Sequence, residues 1–154
     1  KRVSEIMPNV KFIVAGSGDM EGWMIERAAE MGLGDKVLFT GFLKGEDINR
    51  AYQMADLYVM PSVSEPFGIT PLEALKNGTP VLISKQSGVS EVLANALKVD
   101  FWDVDEMTNK IVSTLNYNIM REDLANHGQR EVKELSWDRS AKKCIEVYEA
   151  MHKR

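Results

Sequence analysis

Residues 57–84 read LYVMPSVSEPFGITPLEALKNGTPVLIS, and this one run holds a strand, a loop, a helix and a second strand. Leu57, Tyr58, Val59 and Met60 form a short apolar segment that Pro61 ends. Pro71 opens a helical stretch carrying Leu72, Ala74 and Leu75, and Asn77-Gly78 closes it. Val81, Leu82, Ile83 and Ser84 form the next strand. Short apolar strands alternating with helices argue for a parallel sheet covered on both faces.

The same alternation extends outward. Upstream, residues 10–15 (VKFIVA) read as a strand and 20–31 as a helix with Trp23, Met24, Ala28 and Met31 at helical spacing. A second strand spans 37–39 and turns at Gly41, and a helix over 46–54 places Ile48, Ala51, Tyr52 and Ala55 on one face. Downstream, 97–99 reads as a weak last strand, with helices over 103–115 and about 118–135. Ser136 then caps a final helix to about Met151. Lys1 and the residues to Met7 read as the tail of a helix that Pro8 and Asn9 stop, as expected of a domain excised from a longer chain. The fold class is therefore α/β, a Rossmann-like doubly wound parallel sheet in one domain over residues 1–154. In such folds ligands bind at the C-terminal ends of the strands, where the strand-to-helix loops gather.

A length of 154 residues suffices to bury roughly 70% of the surface an unfolded chain exposes. The net charge of −4, from 19 basic and 23 acidic residues without a long run of either, gives no footprint for nucleic acid. No apolar run approaches the roughly 20 residues of a membrane span, and no signal peptide is seen. The single cysteine, Cys144, excludes an intrachain disulfide and a thiolate zinc site. A cytoplasmic domain without a metal is expected.

Two strand-to-helix loops stand out. Gly16-Ser17-Gly18 would let backbone amides approach a phosphate or a base, and on its own it fits an ordinary tight turn equally well. The third glycine of the dinucleotide fingerprint is replaced by Glu21, so that fingerprint fails. Glu65 and Glu73 stand eight positions apart across a strand-to-helix junction with Gly68 between them. At helical rise that spacing is about 12 Å, long for two acids on one bond and better suited to two grips on an elongated ligand. Free amides around residues 67–70 would favour an anion between them. Thr70-Pro71-Leu72-Glu73 also has the pattern of a capping box, which would make Glu73 purely structural. Glu65, followed by proline, caps nothing.

Together these residues resemble the E-x7-E motif of family 4 glycosyltransferases in its form E-x-F-G-[IL]-x-x-x-E-A. Further blocks resemble the same family in order and spacing: the strand and G-x-G turn over 13–18, Val37-Leu38-Phe39-Thr40-Gly41, Ala55-Asp56-Leu57 with Pro61-Ser62, Gly78-Thr79-Pro80-Val81, and Ser136-Trp137. The resemblance covers nearly the whole chain. It implies the C-terminal, nucleotide-sugar-binding half of a retaining GT-B transferase that lacks its first strand, with the N-terminal acceptor domain absent. Sugar would pass from a UDP-, GDP- or ADP-sugar to an acceptor held by that other domain, with no metal or further cofactor. The enzyme would be hexosyltransferase-like and serve carbohydrate biosynthesis. Cytoplasmic placement follows, with peripheral membrane contact open to the other domain.

Carried over by position, Glu65 is the candidate catalytic residue and holds donor-sugar hydroxyls. Amides of Phe67, Gly68 and Ile69 approach sugar and diphosphate, Thr70 lies beside the phosphates, and Glu73 binds the ribose hydroxyls. Gly16 and Gly18 line the nucleotide pocket, and Leu43-Lys44-Gly45 meets the base. The leaving diphosphate serves as base, so no protein nucleophile is expected. The family's phosphate-binding Arg and Lys would lie upstream of Lys1, and their charges would stabilise the leaving group. The fragment is therefore expected to be inactive alone. Ser87-Gly88-Val89-Ser90-Glu91 departs from the family's G-G-x-x-E, and Asn95-Ala96-Leu97-Lys98 lacks its glycine before the last strand.

Three other readings compete. A carboxylate-pair hydrolase would use Glu65 and Glu73 as acid and base, against their expected span. A phosphate-accepting receiver domain would need an acidic cluster at strand ends, whereas Asp19 stands alone and Asp56 precedes its strand. A non-catalytic nucleotide- or sugar-binding or assembly module would keep the fold and lose turnover. Outside the site, His127 and His152 are expected at the surface, Cys144 in the core with Ala141, Ile145 and Tyr148, and Trp23, Trp102 and Trp137 in packing contacts.

Overall fold

The computed structural model describes residues 1–152. One strand is wholly enclosed: β4 (Val81–Ser84) is buried at every position, as a strand covered on both faces must be. β3 (Tyr58–Met60) and β5 (Leu97–Val99) flank it in parallel, Tyr58 opposite Val81 and Leu82 opposite Leu97. α4 (Thr70–Lys76) crosses from β3 to β4. It lays Ala74 and Leu75, both fully buried, on a core of Met60, Val81, Ile83, Val89 and Leu93. Full burial of a side chain such as Leu75 stabilises by about 1.5–3 kcal/mol.

α6 (Asn118–Glu134) covers α4, and α5 (Val104–Asn116) packs beside both α6 and β5. Asp103 caps α5, its carboxylate accepting from the Glu106 amide at 2.9 Å. α1 (Arg2–Ile6) runs beside α5 and is joined to it by the Arg2–Asp105 ion pair.

β1 (Phe12–Ala15) and β2 (Val37–Gly41) form a second parallel pair, with Phe12 opposite Val37. α2 (Glu21–Glu30) follows β1 and α3 (Glu46–Met54) follows β2. Every strand pair is parallel, as the alternation implies, but the one expected sheet is divided into β2–β1 and β3–β4–β5. In the doubly wound order 3-2-1-4-5-6 these are the 3-2 and 4-5-6 portions. The strand that would join them is not among the described strands. Burial follows this division: Ile13 remains 40% and Leu38 59% exposed, and neither α2 nor α3 has a buried residue.

α7 (Trp137–His152) is capped as expected, the Arg139 amide donating to Ser136 Oγ at 3.2 Å. Its side chains do not reach a core. No residue of α7 is buried, so Cys144 is exposed rather than buried and Trp137 is 86% exposed. Trp23 and Trp102 are exposed as well. Helical periodicity identifies an apolar face, but not whether another element covers it. His127 and His152 are exposed, as expected. Among the described residues, no helix is long and apolar enough to cross a membrane.

Candidate functional site

The loop from β3 to α4, residues 61–69, is pinned to the segment after β4. The Gly88 amide donates to the Glu65 carbonyl at 2.9 Å, and the Val89 amide to the Phe67 carbonyl at 2.6 Å. Glu65 and Ser87 form an isolated parallel bridge. Gly88 opens a 3-10 turn (Gly88–Glu91) and allows this approach: a Cβ there would lie 2.0 Å from the Pro66 carbonyl oxygen. Val89 is fully buried, which ties the turn to the core. Gly68 sits at φ +95°, a left-handed conformation that side chains resist. A Cβ there would also lie 3.1 Å from both Glu65 Cγ and Met60 Cε. The loop carrying Glu65 is thus shaped by one glycine's close contact and another's dihedral.

At the start of α4 the capping box does not form. The residue at N-cap is Ile69, Pro71 lies within the first turn, and no side chain caps the helix. The Glu73 amide bonds instead to the Ile69 carbonyl at 3.1 Å. Thr70 turns its hydroxyl to Tyr58, accepting from that phenol at 2.8 Å, and sits 3.7 Å from Met60 Sδ. The helix therefore begins one residue earlier than the T-P-L-E pattern suggests, because Thr70 finds a tertiary partner. Neither Thr70 nor Glu73 is used in capping. Among the described residues, the amides of Phe67, Gly68, Ile69 and Thr70 have no protein acceptor. They are orphan donors between two carboxylates.

Glu73 is held from α3. Tyr52 donates its phenol to Glu73 Oε2 at 3.2 Å, and its ring meets Tyr58 edge to face at 5.5 Å. Thr79, itself buried, donates to the Tyr52 carbonyl at 2.6 Å. Burial, then the neighbouring Tyr58 and Glu73, push the Tyr52 phenol well above its ordinary range. Burial is also the main cause raising Tyr58. Both phenols therefore stay protonated at neutral pH and act as donors. Asn77 secures the far end of α4, donating to the Asn49 carboxamide at 3.2 Å and accepting from Gln53 at 3.1 Å.

The glycine turn after β1 forms a separate concavity. A pocket of about 290 Å³ is lined by Gly16, Ser17, Gly18 and Glu21 with the apolar Val14, Met24 and Phe39 among others. Glu65, Glu73 and the Leu43-Lys44-Gly45 loop do not line it. That loop follows β2 and leads into α3, with Gly45 at its N-cap and Lys44 Nζ 5.9 Å from the Phe42 ring centre. The expected residues thus fall into three groups at the ends of β1, β2 and β3. Glu65, Phe67, Gly68, Ile69, Thr70 and Glu73 make up the one that is most tightly built.

Sequence reasoning missed Tyr52, Tyr58 and Gly88. Tyr52 carried a signal, since it lies on the inward face of its helix, but helical periodicity says nothing about which carboxylate its hydroxyl reaches. Gly88 stood in a segment noted only for departing from a motif at Ser87, whereas it permits the loop contact.

The family model for glycosyl transferases group 1 matches residues 1–131. An uncharacterized glycosyltransferase of Methanocaldococcus jannaschii is 37% identical over 144 residues, covering 91% of this chain and 37% of that protein. D-inositol 3-phosphate glycosyltransferase of Salinispora tropica is 33% identical over 138 residues, covering 87% of the chain and 29% of the relative. Among solved structures, sucrose-phosphate synthase from Thermosynechococcus elongatus superposes with a TM-score of 0.82 at 26% identity. That match covers 97% of this chain and 40% of that one. The chain thus spans well under half the length of these relatives.

Proposed function

The chain belongs to the glycosyl transferases group 1 family, and from that premise we propose that it is the donor-binding domain of a retaining, two-domain glycosyltransferase. Residues 1–154 form one domain that receives a nucleotide diphosphate sugar. The sugar passes to an acceptor bound by a further, N-terminal domain, in cytoplasmic carbohydrate biosynthesis.

The observation that carries this reading is the arrangement of two carboxylates around a set of unpaired amides on a doubly pinned loop. Glu65 accepts hydrogen bonds from hydroxyls of the donor sugar. The amides of Phe67, Gly68 and Ile69, with Thr70 beside them, receive the diphosphate. Glu73 takes the ribose hydroxyls, Gly16 and Gly18 line the nucleotide pocket, and Leu43-Lys44-Gly45 meets the base. Charge-assisted hydrogen bonds of this kind contribute about 1.5–3 kcal/mol each. Such a site holds the departing diphosphate on the face of the sugar where the acceptor enters. The leaving group itself takes the acceptor's proton, without a metal or a protein nucleophile.

Fixed donors aimed at the leaving group are the main lever on such a step, and the present loop offers amides but no cationic side chain. The chain alone therefore binds nucleotide weakly, with a Kd on the order of 1 mM, about −4 kcal/mol, and does not transfer sugar. The test is a ligand-observed NMR titration with UDP, GDP and ADP, in buffer with and without EDTA. Saturable binding of one nucleotide, unchanged by EDTA and weakened by Glu73→Ala, is the expected result. A folded chain that binds none of the three, or a Glu73→Ala variant that binds as well as the original, refutes the assignment.

A further inference from the structure

We propose that Tyr52 is a positioning residue for donor recognition: its phenol fixes the Glu73 carboxylate in the orientation that receives the two hydroxyls of a ribose. This rests on the reading of Glu73 as the ribose-binding residue and adds to it a device outside the E-x7-E segment. The Tyr52 hydroxyl donates to Oε2 of Glu73 at 3.2 Å. Among the described residues, Glu73 Oε1 accepts from nothing. A carboxylate oxygen has two lone pairs. Oε2 can therefore hold the phenol and one ribose hydroxyl together, leaving Oε1 for the other.

Tyr52 is itself held at two points, its backbone carbonyl and its ring. Thr79 Oγ1 donates to the Tyr52 carbonyl at 2.6 Å, and the Tyr58 ring packs edge-on at 5.5 Å. Tyr58 in turn donates to Thr70 at 2.8 Å. Two phenols set edge to face thus grip the two polar side chains on the first turns of α4, one each. The effect is preorganisation. A free glutamate loses rotamer freedom when it binds a diol, and a carboxylate already tied at one oxygen loses less. Burial holds the Tyr52 phenol protonated well above neutral pH, so it remains a donor.

The test is a two-by-two comparison of the original chain, Tyr52→Phe, Glu73→Ala and the double variant. Each is titrated with UDP, GDP and ADP and with their 2′,3′-dideoxy counterparts. Tyr52→Phe retains the ring against Tyr58, and its thermal unfolding should stay close to that of the original. The expected result is a Kd about tenfold higher for the ribonucleotide that binds, about 1.4 kcal/mol. The dideoxy affinity stays unchanged, and the Glu73→Ala background shows no further loss. A Tyr52→Phe variant that binds the ribonucleotide normally while Glu73→Ala does not would overturn the proposal and leave the reading of Glu73 standing. Equal weakening of ribose and dideoxy nucleotides would overturn it as well, because that is the mark of a structural role. If Glu73→Ala itself binds normally, the reading beneath the proposal fails with it. Should Tyr52→Phe not fold, Glu73→Asp withdraws the carboxylate from the phenol while keeping its charge. The same selective loss of ribose recognition is then expected, and its absence would overturn the proposal.

Discussion

Replacing Gly88 by alanine would put a methyl group 2.0 Å from the Pro66 carbonyl oxygen, 2.9 Å from its carbonyl carbon and 3.1 Å from Phe67 Cα. None of these is the end of a flexible side chain. The nearest contact is about 1.4 Å short of ordinary van der Waals distance at 3.4 Å, so backbone must move. If the two segments part, the 2.9 Å bond to Glu65 and the 2.6 Å bond to Phe67 are lost, at about 0.5–1.5 kcal/mol each. If they stay together, overpacking costs a similar amount, about 1–3 kcal/mol. Either route predicts a destabilisation of about 1–3 kcal/mol, read by urea unfolding with an unchanged m-value. Nucleotide affinity should fall too, because the displaced residues carry Glu65 and the Phe67 amide. The control is Gly34→Ala, which meets nothing within 4 Å and should be neutral or stabilise by about 0.4–1 kcal/mol. A Gly88→Ala variant as stable as that control, with nucleotide binding intact, would refute the reasoning.

Two further changes probe the scaffold. Gly128→Ala on α6 would place a methyl 2.4 Å from Cδ2 of the fully buried Leu75. Overpacking of about 1–3 kcal/mol then outweighs roughly 1 kcal/mol of regained helix propensity, so thermal unfolding should show a lower Tm. Glu131 ties α6 to residues 94–95, accepting from the Ala94 amide at 2.6 Å and from the Asn95 amide and side chain at 2.9 and 3.0 Å. Burial alone would raise its carboxyl, but these donors together hold it below its ordinary 4.5. A depressed folded value means stabilisation that is full above 4.5 and is lost as the pH falls through the folded value. Glu131→Ala should therefore cost about 1–3 kcal/mol at pH 7, with the difference from the original chain shrinking in acid. A pH-independent difference would contradict this assignment.

Where a feature depends on neighbours in the chain, the amino-acid order was enough. The strands at 58–60, 81–84 and 97–99 and the helices of the second half lie where apolar spacing and turn residues put them. Glu65 and Gly68 were visible as loop residues, and Ser136 as a cap, since each is a property of a few consecutive positions.

Contacts between distant segments were not legible in this way. Thr70-Pro71-Leu72-Glu73 has the local pattern of a capping box, yet Thr70 bonds to Tyr58 and Glu73 to Tyr52, twelve and twenty-one positions away. Local pattern states which partners a side chain could have, and the fold decides among them by bringing others within reach. Gly88 shows the same limit, since only the approach of Pro66 distinguishes it from an ordinary turn glycine. The division of the sheet into two and the uncovered face of α7 belong here as well. Apolar spacing marks a face for burial, but whether that face is covered is a property of the packed chain, where a strand or helix must lie against it. The sequence alone determined the α/β alternation and the two carboxylates with a glycine between them. The tertiary structure decided which tyrosines hold the second carboxylate's helix and which glycine lets the loop of the first lie against the turn after β4.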